Sequence, residues 1–341
     1  MGKIRVGVVF GGRSGEHEVS VRSAASIYRA LDKNKYEVSL LGVDKNGRWH
    51  RMDQKWLPSG SEMKSLPSGD KSLVPQDEKL DVVFPIIHGT YGEDGSLQGL
   101  LELMDVAYVG AGVLGSAVGM DKDVQKRLLM QSGIPVAKFE VVKDIELIKR
   151  LMLKYPVFVK PVNMGSSVGV SKAASQKSLV VSLKQAFKYD TKAIIEEEVK
   201  GRELEVSVLG NDDPIASIPG EVIAKRHEFY DYEAKYIDEN GAELKIPARL
   251  TKEQVSEIQK LAIRAFKVLE CGGMARVDMF MRPDGQLVIN EINTLPGFTS
   301  ISMYPKLWEA SGLSYSKLLD RLIELAIEKK KQKDRLKRSY E

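Results

Sequence analysis

Strand-length apolar runs alternate with amphipathic helical segments through the first third of the chain, and no other feature restricts its fold as strongly. Residues 4–10 form an apolar run of strand length closed by Gly11-Gly12. The following segment carries Val21, Ala24, Ala25, Tyr28 and Leu31 on one helical face, with Ser20 placed as the N-cap. Residues 37–43, 82–87 and 107–109 read as further strands and 97–104 as a short helix. The polar stretch between them, 44–80, reads as an irregular insertion. Repeated strand-then-helix predicts an α/β unit built on a doubly wound parallel sheet.

Beyond a helix at 121–131, stopped by Gly133 and Pro135, the pattern changes. Short strands at 138–142, 157–160, 168–172 and 193–197 are interleaved with helices near 145–153 and 178–188. The last third reads as strands at 203–209, 274–281 and 286–292, with a Pro283-Asp284-Gly285 turn between the last two. Thr251 and Gln254 form a capping box for a helix with Val255, Ile258, Ala262, Ala265 and Leu269 on one side. Residues 315–327 are the closing helix. Three domains are expected, over 1–118, 119–196 and 197–341.

Composition narrows the class. No apolar run approaches the roughly 20 residues that cross a bilayer. The first residues enter a strand instead of a signal-peptide core, so a cytoplasmic location without membrane attachment is expected. The single cysteine, Cys271, excludes an internal disulfide framework and a Cys-based zinc site. Net charge is +4, and residues 328–341 carry seven basic side chains against three acids. The remainder is balanced, so the excess reads as a solvated helix end and no nucleic-acid partner is expected.

The chemistry concentrates in three places. In the hairpin 274–293, Arg276 and Asp278 share one face of a strand, and Glu291 and Asn293 share one face of its partner. Pairing about the turn would gather a cation, two carboxylates and an amide. That is either a structural salt bridge or a hard-oxygen site suited to Mg²⁺. The loop Thr294–Ser300 follows directly, where functional groups tend to be placed. Upstream, Lys160-Pro161-Val162-Asn163-Met164-Gly165-Ser166-Ser167-Val168-Gly169-Val170 is a Gly/Ser loop whose N–H groups can approach phosphate oxygens, though it is not a Walker A loop. Combined with the hairpin it suggests ATP held between two sheets, with Lys122 as a second cation or a plain surface lysine. The third place is the first strand-to-helix turn, where the dinucleotide spacing is absent and Glu16 is either a dipole-favoured acid or an ammonium binder. His88-Gly89-Thr90-Tyr91-Gly92-Glu93-Asp94-Gly95 lies at the carboxyl end of another strand.

Seven blocks occur in order: Gly11-Gly12…Glu16…Glu18-Val19-Ser20; His88-Gly89…Gly92-Glu93-Asp94-Gly95; Met120-Asp121-Lys122; Lys160-Pro161…Gly165-Ser166-Ser167-Val168-Gly169; Phe229-Tyr230-Asp231-Tyr232-Glu233-Ala234-Lys235-Tyr236; Arg276-Val277-Asp278; and Glu291-Ile292-Asn293…Pro296-Gly297. From about residue 4 to 327, omitting the insertion, the chain closely resembles the D-alanine–D-alanine ligases, ATP-grasp enzymes of peptidoglycan precursor synthesis. The resemblance implies a three-domain ATP-grasp architecture: an N-terminal doubly wound parallel-sheet domain, then two α+β domains sandwiching ATP.

It also implies a reaction. One D-alanine carboxylate attacks the ATP γ-phosphate to give D-alanyl phosphate. The amine of a second D-alanine then displaces phosphate, leaving D-alanyl-D-alanine, ADP and phosphate. By motif match, Lys122 and Lys160 bind phosphates with Ser166, Ser167 and Asn290 beside them, and Glu196, Glu197, Val199 and Glu203 match adenine and ribose contacts. Asp278, Glu291 and Asn293 match the ligands of two Mg²⁺ ions, for which Mn²⁺ is a substitute. Glu16 would bind the first D-alanine ammonium, with His88 beside that substrate. Arg276 and the Gly297 N–H would stabilise the oxyanion, and Ser302 would receive the second carboxylate. Residues 225–248, with Phe229, Tyr230, Tyr232 and Tyr236, read as a lid that excludes water from the acyl phosphate. The resemblance has Lys235 reaching the phosphates and Tyr236 linked through Ser166 to Glu16. This pair favours an amine acceptor over D-lactate.

Two positions depart from the pattern: His17 replaces an arginine and Glu197 a lysine. A homodimer is expected from the family. The rival readings are a D-alanine–D-lactate or other ATP-grasp carboxylate–amine ligase, and a non-catalytic two-lobed amino-acid-binding protein. A Rossmann oxidoreductase is disfavoured because the dinucleotide fingerprint fails.

Overall fold

A computed structural model describes residues 2–59, 62–67, 79–145, 151–224 and 242–340, which three sheets organise. The first contains β1 (Ile4–Gly11), β2 (Tyr36–Val43), β3 (Trp49–Met52), β4 (Val82–Pro85) and β5 (Ala107–Tyr108), with α1 (His17–Ala30) after β1 and α2 (Ser96–Leu103) after β4. Its order is β3-β2-β1-β4-β5, parallel except for β3, which runs antiparallel to β2. β1 is covered on both faces, which is why Val6, Val8, Val9 and Phe10 form a nearly continuous apolar run, all fully buried. Because β1 and β4 are neighbours, the loops after them meet at one sheet edge, where open α/β sheets place ligands.

Two expectations change here. Ser20 does not cap α1: the helix starts earlier, with Glu16 at the cap position. The buried Ser20 hydroxyl instead accepts from Gly11 N at 2.7 Å and donates to the Ile86 carbonyl at 2.5 Å, stitching the ends of both strands together. The stretch 44–80 is not irregular throughout, since it contains β3. Asp44 folds the preceding turn by accepting from the N–H groups of Asn46 and Arg48 at 2.8 and 2.9 Å.

Next come α3 (Val113–Met120) and α4 (Lys122–Gln131), the latter capped by Asp121, whose side chain accepts from Val124 N. The second sheet is antiparallel, in the order β6 (Phe139–Val142), β9 (Ala193–Glu197), β7 (Val157–Pro161), β8 (Ser171–Ala173), with α5 (Gln176–Ala186) between β8 and β9 in the chain. The helix expected near 145–153 falls largely outside the described residues, and 151–153 are irregular.

The third sheet runs β13 (Ala242–Lys245), β12 (Gly220–Ala224), β10 (Arg202–Gly210), β14 (Gly273–Met281), β15 (Leu287–Asn293), with β11 (Ile215–Ala216) against β10. Its core packs against α6 (Lys252–Val268), whose Thr251/Gln254 capping box is fully formed. The end of the lid segment, 242–245, is strand β13 paired with β12, while 225–241 lie outside the described residues.

α7 (Met303–Ala310) and α8 (Tyr315–Asp334) close the chain. Leu318, Leu319, Leu322 and Ile323 of α8 share one core with Val6, Val8 and Phe84 of the first sheet. The basic end is a solvated helix end, as expected: residues 331–340 are almost all exposed. Helix α8 runs past residue 327, and on its surface Lys333 pairs with Glu102 and Lys330 lies 3.1 Å from Asp105, with Arg338 also on Asp105. Among the described residues no helix is long and apolar enough to cross a membrane.

Candidate active site

The loop 294–299 is fixed from behind by Phe298. Its ring is fully buried against Phe84 (5.7 Å between centroids), Tyr304 (5.4 Å) and Tyr315 (6.1 Å), and Tyr315 Oη donates to the Phe298 carbonyl at 2.6 Å. An anchor of this kind holds the preceding Gly297 in one place. A Cβ at Gly297 would lie 2.8 Å from Ser302 Oγ, so any larger residue would push that hydroxyl from its place. Ser302 in turn stands at the N-cap of α7, its Oγ accepting from Thr299 N at 3.0 Å.

The hairpin β14–β15 pairs as its alternation predicts. Arg276 faces Asn293 and Asp278 faces Glu291, and on the other side Glu205 of β10 faces Asp278. Arg276 Nε and Nη2 each donate to Asp278 at 2.7 Å, and Nε lies 3.0 Å from Glu205 Oε2. Asn293 Nδ2 donates to Asp278 at 3.0 Å. Burial opposes the charge on Arg276, but Asp278 and Glu205 outweigh it and hold its pKa well above the ordinary value. Glu205 was missed by sequence reasoning; its signal was strand alternation from Glu203, two residues upstream.

Glu16, at the head of α1, is 7 % exposed and contacts Ser166 Oγ from the second sheet's loop. Gly89 and Gly165 crowd the same carboxylate: a Cβ on either would come within 2.8 or 2.9 Å of Glu16 Oε2. Ser166 and Ser167 both sit at positive φ, +50° and +60°, a conformation that costs non-glycine residues energy and tends to mark functional loops. Position 17 is structural: buried His17 contacts the Gly12 carbonyl at 2.8 Å and accepts from Leu66 N at 3.1 Å.

His88 is 3 % exposed, with Nδ1 3.2 Å from the Leu295 carbonyl and Nε2 3.1 Å from Ser23 Oγ. Burial lowers its pKa to about 4, so the ring is neutral at pH 7. The sign follows from linkage: the unfolded chain takes up this proton near pH 6.5 and the folded chain only near 4. Stability therefore falls as pH drops through that window, by about 3 kcal/mol in total. The raised pKa of neighbouring Glu93 acts in the opposite direction over this window, so the test is a difference: thermal unfolding across pH 4–6.5 should show wild type losing more stability on acidification than His88→Gln, by about one proton of slope. Beside it, Glu93 accepts from Gly89 N at 2.8 Å, and burial together with the Glu16 carboxylate holds its pKa well above the usual carboxylate range. Glu93 belonged to a recognised block but had been given no role.

Lys122, the first residue of α4, is 8 % exposed, donates to the Met164 carbonyl at 2.7 Å and lies 3.5 Å from Glu291. It is not a surface lysine. Lys160 lies 2.6 Å from Glu196 and donates to Asn290 Oδ1 at 3.4 Å. Lys126, also missed, lies 3.0 Å from the other Glu196 oxygen. Glu197 Oε1 accepts from Lys138 N and Arg282, at 3.2 and 3.1 Å. Glu203 lies on β10, and Val199 in the β9–β10 connection.

One cleft of about 520 Å³ gathers Glu16, His88, Lys122, Ser166, Arg276, Glu291, Asn293, Gly297 and Ser302. Lys160, Ser167, Glu196, Glu197, Val199, Glu203, Asp278 and Asn290 do not line it, and Lys235 and Tyr236 lie outside the described residues. Asp278, Glu291 and Asn293 offer two carboxylates and an amide. Among the described residues no three acids, histidines or cysteines gather as a metal cage. Such an incomplete hard-oxygen set fits Mg²⁺, which keeps water and phosphate ligands of its own.

Two antiparallel sheets carrying lysines, a Gly/Ser loop and an acidic hairpin, set behind a parallel-sheet domain, define an ATP-grasp enzyme. Residues 5–111 match the family model described as D-ala D-ala ligase N-terminus, and 128–324 the D-ala D-ala ligase C-terminus. A D-alanine--D-alanine ligase of Oceanobacillus iheyensis is 50 % identical over 99 % of both chains. The structure of the D-alanine-D-alanine ligase from Coxiella burnetii superposes with a TM-score of 0.85 at 40 % identity, covering 97 % of this chain and 96 % of that one. The Bacillus anthracis D-alanine--D-alanine ligase complexed with ATP superposes at 0.78 and 28 % identity, covering 97 % and 99 %. The chain belongs to the D-alanine–D-alanine ligase family.

Proposed function

We propose that the chain joins two D-alanine molecules into D-alanyl-D-alanine through D-alanyl phosphate, converting ATP to ADP and phosphate, for peptidoglycan precursor synthesis. The observation that carries this reading is that one cleft brings together Glu16, Arg276, Gly297 and Ser302. It offers a carboxylate for one ammonium, a cation for developing negative charge, and a hydroxyl at a helix N-terminus for a second carboxylate.

In this reading Glu16 holds the donor's ammonium and turns its carboxylate toward the phosphates. Lys122 and Lys160 bind those phosphates, with Ser166, Ser167 and Asn290 beside them. Asp278, Glu291 and Asn293 hold two Mg²⁺ ions (or Mn²⁺), which when bound neutralise phosphate charge. Arg276 and Gly297 N–H take the charge on the tetrahedral oxyanion, and Ser302 holds the acceptor carboxylate. Neutral His88 keeps the donor loop in place. The Glu196 and Glu197 side chains are engaged by lysines and by Arg282, so adenine contacts over 196–199 are assigned to main chain, and the ribose contact to Glu203. The resemblance assigns Lys235 to the phosphates and Tyr236 to the Ser166–Glu16 link, and the presence of both in the sequence supports an amine acceptor.

A cytoplasmic homodimer is part of the same reading. Leu103 on α2, and Val113 and Leu114 opening α3, are exposed apolar side chains that a second copy could cover. The test of function is ADP release with Mg-ATP and D-alanine, with L-alanine as control and D-lactate as competing acceptor. D-alanine-dependent ADP is expected with a matching yield of dipeptide. ADP release indifferent to D-alanine would move the substrate to another carboxylate–amine pair.

A further inference from the structure

Lys126 lies in the interior of α4, one turn beyond Lys122, and its side chain is 1 % exposed. Its ammonium donates to the Asn290 carbonyl at 3.0 Å and lies 3.0 Å from Glu196 Oε1. The other Glu196 oxygen is 2.6 Å from Lys160. A bulge makes this possible. The β14–β15 register slips between Asp278 and Met279, so Asn290 drops out of the ladder and its backbone carbonyl is left to accept from Lys126. One buried carboxylate is thus shared by two ammonium groups drawn from α4 and β7.

We infer that Lys126 is a positioning residue for nucleotide binding: by taking one side of Glu196, it leaves Lys160 with positive charge to offer a phosphate. The inference rests on the reading that Lys160 binds the nucleotide. Two ammoniums on one carboxylate leave a net charge of one. Without Lys126, Glu196 neutralises Lys160 completely, and the surroundings, where Glu291 and Glu203 also act on Lys160, become one charge more negative toward an incoming triphosphate. In a dry site that difference is large, since neither charge is screened by water. Glu196 is therefore a counter-ion, and removing it together with Lys126 should restore the balance.

The test measures Mg-ATP binding by calorimetry and KM for ATP and D-alanine. Lys126→Met should weaken Mg-ATP by roughly ten- to hundredfold, the loss expected for a charge-assisted contact, with KM for D-alanine unchanged. The double variant Lys126→Met/Glu196→Gln should recover Mg-ATP binding to within about threefold of wild type. A merely structural lysine would raise both KM values together and make the double variant worse. Wild-type Mg-ATP affinity in Lys126→Met, or a double variant weaker than the single, overturns the inference. If Lys126→Met does not fold, the double variant decides alone: binding near wild type supports the charge balance, and a tenfold loss contradicts it. A wild-type chain that binds no Mg-ATP would instead overturn the reading of Lys160 and this inference with it.

Discussion

Arg276→Met should lower kcat for dipeptide formation by at least about 10³-fold while Mg-ATP affinity changes only a few-fold. The guanidinium is held by Asp278 and Glu205 on two strands, so it cannot swing aside when charge develops in the cleft. A fixed cation that needs no reorganisation stabilises an oxyanion far more than a mobile one in water. Removing it has a second consequence. Glu205 and Asp278 are directly cross-strand, and without the cation two buried carboxylates face one another. The variant should therefore also lose stability, on the order of 3 kcal/mol, as expected when one partner of a buried pair is deleted. Arg276→Lys keeps the charge but not the two parallel hydrogen bonds, and should fall between. Steady-state kinetics with calorimetric ATP binding checks this. Normal turnover at saturation with weakened ATP binding would make Arg276 a nucleotide contact instead.

Glu16→Gln should raise KM for the donor D-alanine by about 10²-fold or more, with KM for ATP unchanged. The carboxylate is nearly enclosed, and Gly89 and Gly165 leave no room for a side chain to compete with a ligand beside it. An isosteric amide preserves the shape and the Ser166 contact but removes the charge that an ammonium needs. Initial rates against D-alanine at saturating ATP give the result. An unchanged KM would return Glu16 to the role of an acid favoured by the helix dipole.

What was legible in the chain depended on how locally each feature is encoded. The Arg276–Asp278 and Glu291–Asn293 pairings follow from strand alternation and one tight turn, and the structure places them as alternation requires. Glu16 and the Ser166 loop were visible as motifs, and the link between them that the resemblance implied is present in the structure; residue spacing alone could not give it, because it depends on how two sheets approach one another. Lys126 carried no signal, because its partner Asn290 is 164 residues away and only the bulge in β15 brings that carbonyl to it. Helix α3 escaped notice because Gly115 and Gly119 weaken its pattern. The packing explains both glycines: a Cβ would strike Glu270 O at 2.3 Å or the Thr294 side chain at 2.6 Å. The basic terminus was legible as a solvated helix end, but not its surface pairing with Glu102 and Asp105, which are more than 200 residues away in the chain.

The central claim is that a carboxylate is activated by phosphoryl transfer before an amine attacks it. D-alanine labelled with ¹⁸O in its carboxyl group, incubated with Mg-ATP and this chain, tests it most directly. One ¹⁸O should appear in the released inorganic phosphate for each D-alanyl-D-alanine formed, because the acyl C–O bond breaks when the amine displaces phosphate. Unlabelled phosphate accompanying dipeptide would mean that the carboxylate oxygen never bonds to phosphorus, and the account would fail.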